Sequence, residues 1–543
     1  MTENPSSFSS LPLLPGQNEP PPAHESRPVD QEVVLEEKEK KNVDSFLRLS
    51  WYCARILFLS EFILFGAAGN FVFLVYAGAA PKSVECVGDN ITIADICKIP
   101  LKERSSFNCT LQPHYEFRSL NVEFEYFCEE AATVKSAISF QMLGVLVGTL
   151  FWGHFADAKG RKLALIICFT AAMLLSVVNA AVNSLFTFTV VRTVQAFFNG
   201  GALIVYGVYM LEHLPRKHRF LISSLIAWSP NYILFTLLAW FSGDWRTCQL
   251  VIVAVSLPAF PAFFFVYESP RWLIQKGRID EARVVLEKMQ AIDGVSQTKR
   301  EEMQAMIEEE HQKAIDREQR AKSYNVTHLF RHAEMAIVTT ILSLGVLLTS
   351  LISYGLIFNL ETLSGSLFLN SIFLGMLRWS LNIVTGIADF KIKRAGRKAV
   401  HTIGQGVVAL GLVMLAWTHY NGKSEGMSEV MRISTLLSAA FISQTQISKG
   451  MLAMEYFPTV IRNSAVSFKT VFSRIGAVLA PQIFLLPIPF LPYAILAALA
   501  LVDTIAFLVF VPETKGRPLP ESMPENKNNK LTTNSIPSES PQV

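Results

Sequence analysis

Charge is what this chain has least of. Of its 543 residues, 17% are Asp, Glu, Lys or Arg, where a soluble domain carries about 25%. That deficit excludes an ordinary soluble globule. The net charge of +3 is too small for a protein that holds nucleic acid by a basic excess, so no nucleic-acid partner is expected. Catalytic signatures are also missing. The chain shows no cluster of metal ligands, no phosphate-binding P-loop and no nucleophile elbow. Neither an enzymatic role nor a cofactor is expected, and without an ATP site any transport would draw on gradients or exchange. The first 43 residues are rich in Pro, Ser and Glu and lack an apolar stretch, so they are not expected to be a signal peptide. Residues 1–50 and 518–543 read as disordered tails by composition.

What is abundant is apolar surface. Hydrophobic residues make up 51% of the chain. Several runs reach the ~20 residues needed to cross a hydrocarbon core of about 30 Å. We read twelve spans. The first six cover 54–79, 134–153, 162–182, 184–211, 220–241 and 247–267. The second six cover 333–358, 366–388, 399–418, 430–453, 463–486 and 490–511. The chain is therefore expected to be an all-α polytopic membrane protein with the lipid bilayer as its solvent. Its halves would be 51–267 and 333–517, joined by a charged linker with helices at 268–332.

Basic residues give the orientation. Lys159, Arg161 and Lys162, then Arg216, Lys217 and Arg219, then Lys391, Lys393, Arg394, Arg397 and Lys398 crowd alternate short loops. Such loops face the cytoplasm. Both tails and the linker are then cytoplasmic, and the long loop 80–133 lies outside. Of the seven cysteines, four sit in that loop: Cys86, Cys97, Cys109 and Cys128. An even set in an oxidising compartment predicts two disulfides, with three pairings open. Asn90-Ile-Thr92 and Asn108-Cys-Thr110 are glycosylation sequons in the same loop. Asn325-Val-Thr327 matches the pattern but falls on the cytoplasmic side.

Three motifs occur twice. GHFADAKGRK (153–162) is echoed by GIADFKIKRAGRK (386–398), EHLPRKHR (212–219) by EYFPTVIR (455–462), and ESPRWL (268–273) by PETKGR (512–517). The offsets are 236, 243 and 245, so the halves are a parallel repeat. Transporters that rock two halves about a central site use this arrangement. The motifs place Gly153, Asp157, Gly160, Arg161, Glu212, Arg219, Glu268 and Arg271 at helix ends of the first half, and Asp389, Arg397, Glu455, Arg462 and Glu513 in the second. Paired acids and bases there suit a gate whose network biases two states by a few kcal/mol. Simple positive-inside anchoring would need neither the acids nor the repeat.

These motifs, the cysteine-bearing first loop and YGLIFNLETLSG (354–365) resemble the solute carrier 22 family of organic ion transporters, within the major facilitator superfamily. The likeness covers about 50–517. It implies the major facilitator fold of twelve helices in two six-helix halves, a small organic ion as substrate, plasma-membrane placement and movement by alternating access. Sugar porters share single motifs but would usually lack the outer loop.

Cations inside the spans are the site signal, because a charge at the bilayer centre costs at least ~2.5 kcal/mol. Arg474 and Arg378 fall near the midplane, too deep to snorkel. Lys469 and Lys449 lie closer to the inner edge, and snorkelling is expected of both. Guanidinium suits bidentate contact with an anion. Intramembrane acids are Glu61 and Asp503. In the resemblance, the position of Arg474 is typically acidic in cation carriers and Arg in anion carriers. Arg378 falls where both groups carry an acid, and Asn382 where anion members carry Lys. The helix-8 cation is thus shifted by one turn. Tyr354 and Trp228 match aromatic contact positions of the family, and Trp379, Phe358 and Phe472 are nearby candidates. Arg192 in RTVQ resembles a fourth-helix pattern tied to protons in some members, but nothing fixes a coupling or exchange ion. The sequence thus favours an organic anion carrier. Its rivals are a cation or carnitine-like zwitterion carrier using Asp503 or Glu61, and a non-transporting receptor or scaffold. The second motif copy, stretched by three residues between Asp389 and Gly396, would fit the last reading.

Overall fold

The structure is a computed structural model that describes residues 50–87, 110–127, 131–215, 228–293, 305–309, 311–312, 315, 326–392, 396–421 and 427–515. Its long helices fall where the apolar runs placed them. In the first half they are α1 (Trp51–Ala77), α2 (Ala131–Lys159), α3 (Arg161–Ala180), α4 (Leu185–His213), α5 (Trp228–Ser242) and α6 (Trp245–Phe265). The second half has α7 (Ala333–Phe358), α8 (Leu367–Lys391), α9 (Arg397–Tyr420), α10 (Ser428–Tyr456), α11 (Thr459–Ile483) and α12 (Leu491–Phe510). Among the described residues, nine of these are long and apolar enough to span a membrane. The remaining three are α5, described from residue 228 onward, and α10 and α11, which carry Gln444, Lys449, Lys469 and Arg474.

The packing repeats between the halves. In the first, α4 packs on α1, α2 and α3, and α6 on α1 and α3. In the second, α10 packs on α7, α8 and α9, and α12 on α7 and α9. The halves meet along α2 with α11 and along α5 with α8, which are equivalent pairs under the same repeat. At the second seam Gly375 of α8 lies against α5, where a Cβ would sit 2.6 Å from Cγ1 of Ile233.

The apolar core forks along the bundle. One buried cluster joins both halves through Phe71, Tyr76 and Phe235 on one side and Ile352, Phe358 and Phe368 on the other. Toward the opposite end it gives way to separate clusters, one around Trp152, Phe169 and Leu286 and one around Leu342, Leu452 and Phe507. The joined end carries a two-stranded antiparallel ladder, β1 (Ser83–Val87) with β2 (Thr110–His114), pairing Ser83 with His114. This strand pair adds to the all-helical reading. We call this the ladder end, and the opposite one the basic end, after the repeated GRK loops. Of the loop's disulfide and sequon positions, Cys86 lies in β1; Cys97, Cys109, Cys128, Asn90 and Asn108 lie outside the described residues.

Contacts across the halves close the ladder end. Glu361 accepts from the Ala80 N–H at 2.9 Å and pairs with Lys135 at 2.9 Å. Glu116, between β2 and α2, accepts from Ser366 Oγ and the Leu367 N–H at 2.9 Å each, capping α8 of the other half. Lys82 pairs with Glu116 and donates to the Gly365 carbonyl at 3.2 Å. Tyr76 stacks on Phe368 with ring centroids 5.4 Å apart.

In the linker, helices Pro270–Gln275 and Ile279–Asp293 pack on the first half, where Leu286 and Met289 join the cluster containing Tyr52 and Ile56.

Candidate functional site

Between the halves lies a cavity of about 530 Å³ whose wall comes from α1, α4, α5, α7, α8, α10 and α11. The halves supply different chemistry. The first contributes Leu64, Phe71, Val72, Leu203, Trp228 and Tyr232. The second contributes all the charge: Arg378 from α8, and Lys469 and Arg474 from α11. No carboxylate lines the wall among the described residues.

Arg378 is buried and donates to Ser353 Oγ at 3.1 Å, while its Nε finds no partner. Arg474 makes no hydrogen bond or ion pair among the described residues. Beside it, Ser473 Oγ bonds Ser350 Oγ at 2.7 Å, tying α11 to α7. Lys469 also lacks a partner among the described residues. It lines the cavity rather than snorkelling away from it. Lys449 departs from expectation differently. It is fully buried, with Nζ 2.6 Å from Asp503 Oδ2, 2.7 Å from the Gly345 carbonyl and 2.9 Å from Thr349 Oγ1. Depth along the helix suggested snorkelling; the faces of α10 and α12 decided otherwise. The pair leaves no side-chain room at residue 345, where a Cβ would meet Asp503 Oδ1 at 2.5 Å.

Neither intramembrane acid is in the cavity wall. Asp503 holds Lys449, with His401 Nε2 at 3.5 Å. Glu61 Oε1 accepts from Asn231 Nδ2 at 2.9 Å, while its buried Oε2 finds no partner among the described residues. Arg192 is fully buried among neutral amides, donating to Gln141 at 2.9 Å, Gln195 at 2.8 Å and Gln249 at 3.1 Å, and to the Asn70 carbonyl. It does not reach the cavity wall.

Aromatic rings form the apolar part. Phe71 meets Trp228 edge-on at 5.5 Å and Tyr354 at 5.4 Å, and Tyr354 stacks on Phe358 at 5.9 Å. The structure thus brings Trp228, Tyr354, Phe358, Asn382, Arg378 and Arg474 to one cavity. Asn382 accepts from Gln444 Nε2 at 2.6 Å. Trp379 and Phe472 are not in the wall. Sequence reasoning missed Phe71 and Tyr232, and expected Lys469 to snorkel away. Nothing marks Phe71 among 39 phenylalanines, whereas Lys469 was visible as a second cation on the same helix.

The repeated motifs form one network per half at the basic end. Arg161 pairs with Asp157 and, at 3.5 Å, with Glu212; Arg271 acts electrostatically on Glu212 as well. Arg397 pairs with Asp389 at 2.7 Å and Glu455 at 2.6 Å. That Asp389 contact forms across the three-residue stretch, so the longer second copy keeps its ion pair. Glu268 accepts from the N–H groups of Arg161 and Lys162 at 3.0 Å, capping α3. Glu513 caps α9 the same way, at 2.9 and 3.0 Å from the Arg397 and Lys398 N–H groups. Burial pushes the Glu513 carboxyl up, but the N–H groups of Lys515, Lys398, Arg397 and Thr514 outweigh it and hold the group below its usual value. These caps explain the glycine of GRK. A Cβ on Gly160 would meet Glu268 Oε2 at 2.5 Å, and one on Gly396 would meet Glu513 Oε2 at 2.2 Å. Gly153 faces open space, Arg462 donates to the Phe457 carbonyl at 3.2 Å, and Arg219 lies outside the described residues. The pairs of Arg161 with Asp157 and Glu212, and of Arg397 with Asp389 and Glu455, each stay within one half.

A family model described as "Sugar (and other) transporter" matches residues 104–525. The chain belongs to that family. This transporter is 26% identical over 440 residues to an organic cation transporter protein of Drosophila melanogaster, covering 79% of this chain and 78% of the relative. It is 24% identical over 420 residues to solute carrier family 22 member 7 of Bos taurus, covering 76% and 74%. These relatives agree with the solute carrier 22 resemblance carried by the motifs. Among solved structures, the inward open conformation of the xylose transporter XylE from E. coli superposes with a TM-score of 0.60 at 19% identity, over 86% of this chain and 98% of that one. At that identity the likeness shows the major facilitator fold. The transporter is thus a multi-pass membrane protein with a small-molecule substrate, in a family of transporters rather than enzymes.

Proposed function

We propose that this transporter carries amphipathic organic anions by alternating access in the plasma membrane, with both termini cytoplasmic. One observation carries the reading: the cavity wall holds three cations and no carboxylate among the described residues. A desolvated cation costs several kcal/mol unless an opposite charge joins it. An anionic cargo is that charge, and the ring cluster of Phe71, Trp228, Tyr354 and Phe358 receives its apolar body. The conformation fits a carrier caught facing one side. The ladder end is sealed by Glu361, Glu116 and the Tyr76–Phe368 stack, while at the basic end Arg161 and Arg397 keep carboxylate partners in their own halves. Closing that end would let Asp157, Arg161, Glu212, Asp389, Arg397 and Glu455 exchange partners across the halves. Cargo would be loaded or released through the basic end in the state seen here.

A cation carrier, as the Drosophila relative's name would suggest, needs a carboxylate facing the cargo, and neither Asp503 nor Glu61 is in the cavity wall. Uptake of labelled octanoate and labelled tetraethylammonium by cells expressing the chain tests the reading. Octanoate uptake that disappears in Arg474→Ala at unchanged surface level supports it. Tetraethylammonium uptake that survives Arg474→Ala, with no octanoate uptake, overturns it.

A further inference from the structure

Lys469 is the third cation of the wall, and a single anionic group held by the two arginines leaves it without a counter-charge. It projects into the same cavity as the two arginines yet has no partner among the described residues. Its neighbour Lys449 is neutralised by Asp503, so the adjoining buried pair adds no free negative charge. A cargo with one negative charge neutralises part of this wall and leaves at least one desolvated cation bare.

Position separates Lys469 from the arginines. Helix α7 runs beside all three and serves as a ruler. Arg378 bonds Ser353, and Ser473, next to Arg474, bonds Ser350. Lys469 Nζ lies 3.9 Å from where a Cβ on Gly450 would be, and the adjoining Lys449 bonds the Gly345 carbonyl. From Gly345 to Ser353 the rise along α7 is about 12 Å. The arginines therefore sit toward the sealed ladder end and Lys469 toward the basic end. The ring cluster includes Tyr354, next in α7 to the Ser353 that Arg378 bonds, and Val346, next to Gly345, also lines the wall.

We infer that Lys469 is a second anion-binding point, and that the preferred cargo is an elongated amphipath bearing an anionic group at each end. Arg378 and Arg474 take one group and Lys469 takes the other. This rests on the anion reading above and adds the second charge and the spacing.

The test uses the full-length chain in proteoliposomes, with octanedioate and octanoate as paired probes differing in one terminal carboxylate. The wild type is expected to prefer octanedioate. Lys469→Gln should raise the KM for octanedioate about tenfold, the loss expected for a charge-assisted contact, and so shrink the preference. Lys469→Arg should restore most of it, which separates a binding role from misfolding. An unchanged octanedioate-to-octanoate preference in Lys469→Gln overturns this inference and leaves the anion reading standing. Transport of neither anion by a wild-type protein that carries tetraethylammonium overturns both.

Discussion

The two halves share a topology and divide the chemistry. Each buries a cation near its centre, and each solves the cost differently. The first surrounds Arg192 with Asn70, Gln141, Gln195 and Gln249. The second pairs Lys449 with Asp503. The amide cage spreads a fixed charge over neutral dipoles, while the ion pair binds three helices through one acid. In the cavity all three cations come from the second half, while the ring cluster draws on both halves. A repeat can thus keep its packing while one copy alone supplies the charge of the site.

The largest effect should come from unbalancing the second half's pair. Lys449→Met leaves Asp503 as an uncompensated buried carboxylate and should cost about 3–5 kcal/mol, read as a fall in thermal midpoint of the detergent-solubilised protein. The double change Lys449→Met with Asp503→Leu should recover most of that loss. If the double variant is no better than the single, the pair is not the reason for the acid.

Next comes the charge side of the cavity. Arg474→Ala should lower octanoate kcat/KM by about a hundredfold, the cost of a lost contact to a charged group. Wild-type thermal stability is expected, since Arg474 bonds nothing among the described residues. On the apolar side, Phe71→Ala should cost about tenfold in the KM of a bulky aromatic anion and less for octanoate, because an aromatic pair adds about 1 kcal/mol beyond its area. Equal losses for both would break the division of labour.

How much of this was legible depended on dimension. Helix positions, the repeat and the solute carrier 22 likeness follow from patterns along the chain, and Arg474 and Arg378 stand out because a cation in an apolar run has a cost. What a linear reading lacks is the azimuth of each residue. Counting depth put Lys449 and Lys469 in one class, yet Lys449 faces α7 and α12 inside its own half while Lys469 faces the cavity. Phe71 is hidden for the same reason. Its role depends on Trp228 and Tyr354, which come from two other helices. The capping carboxylates Glu268 and Glu513 could be found as repeat members, but the reason for their glycine partners is visible only in space.

The smallest effect concerns the ladder-end latch. Burial raises the Glu116 carboxyl, but Lys82, Ser366 and the Leu367 N–H outweigh it and hold it below its usual value. A depressed carboxyl stabilises the latched form above the unfolded value and loses that contribution as pH falls through the folded one. Acidification below about pH 4 should therefore loosen the seal by well under 1 kcal/mol, since the Lys82 pair is partly exposed. Ser139 of α2 accepts from Gln482 of α11 at 2.9 Å, and a rise at low pH in the mobility of a spin label attached beforehand to Ser139→Cys, absent in Glu116→Gln, would register it. No acid-induced change would place the seal with the Tyr76–Phe368 stack instead.

Gly375 has a mechanical meaning. With no side chain on that face, α8 rests its backbone against Ile233, and the two halves meet there on a smooth bearing instead of an interlocked seam. A bearing lets one body tilt on another without first unthreading its teeth. A methyl group at residue 375 would act as grit, wedging α5 from α8 and slowing turnover while cargo still binds.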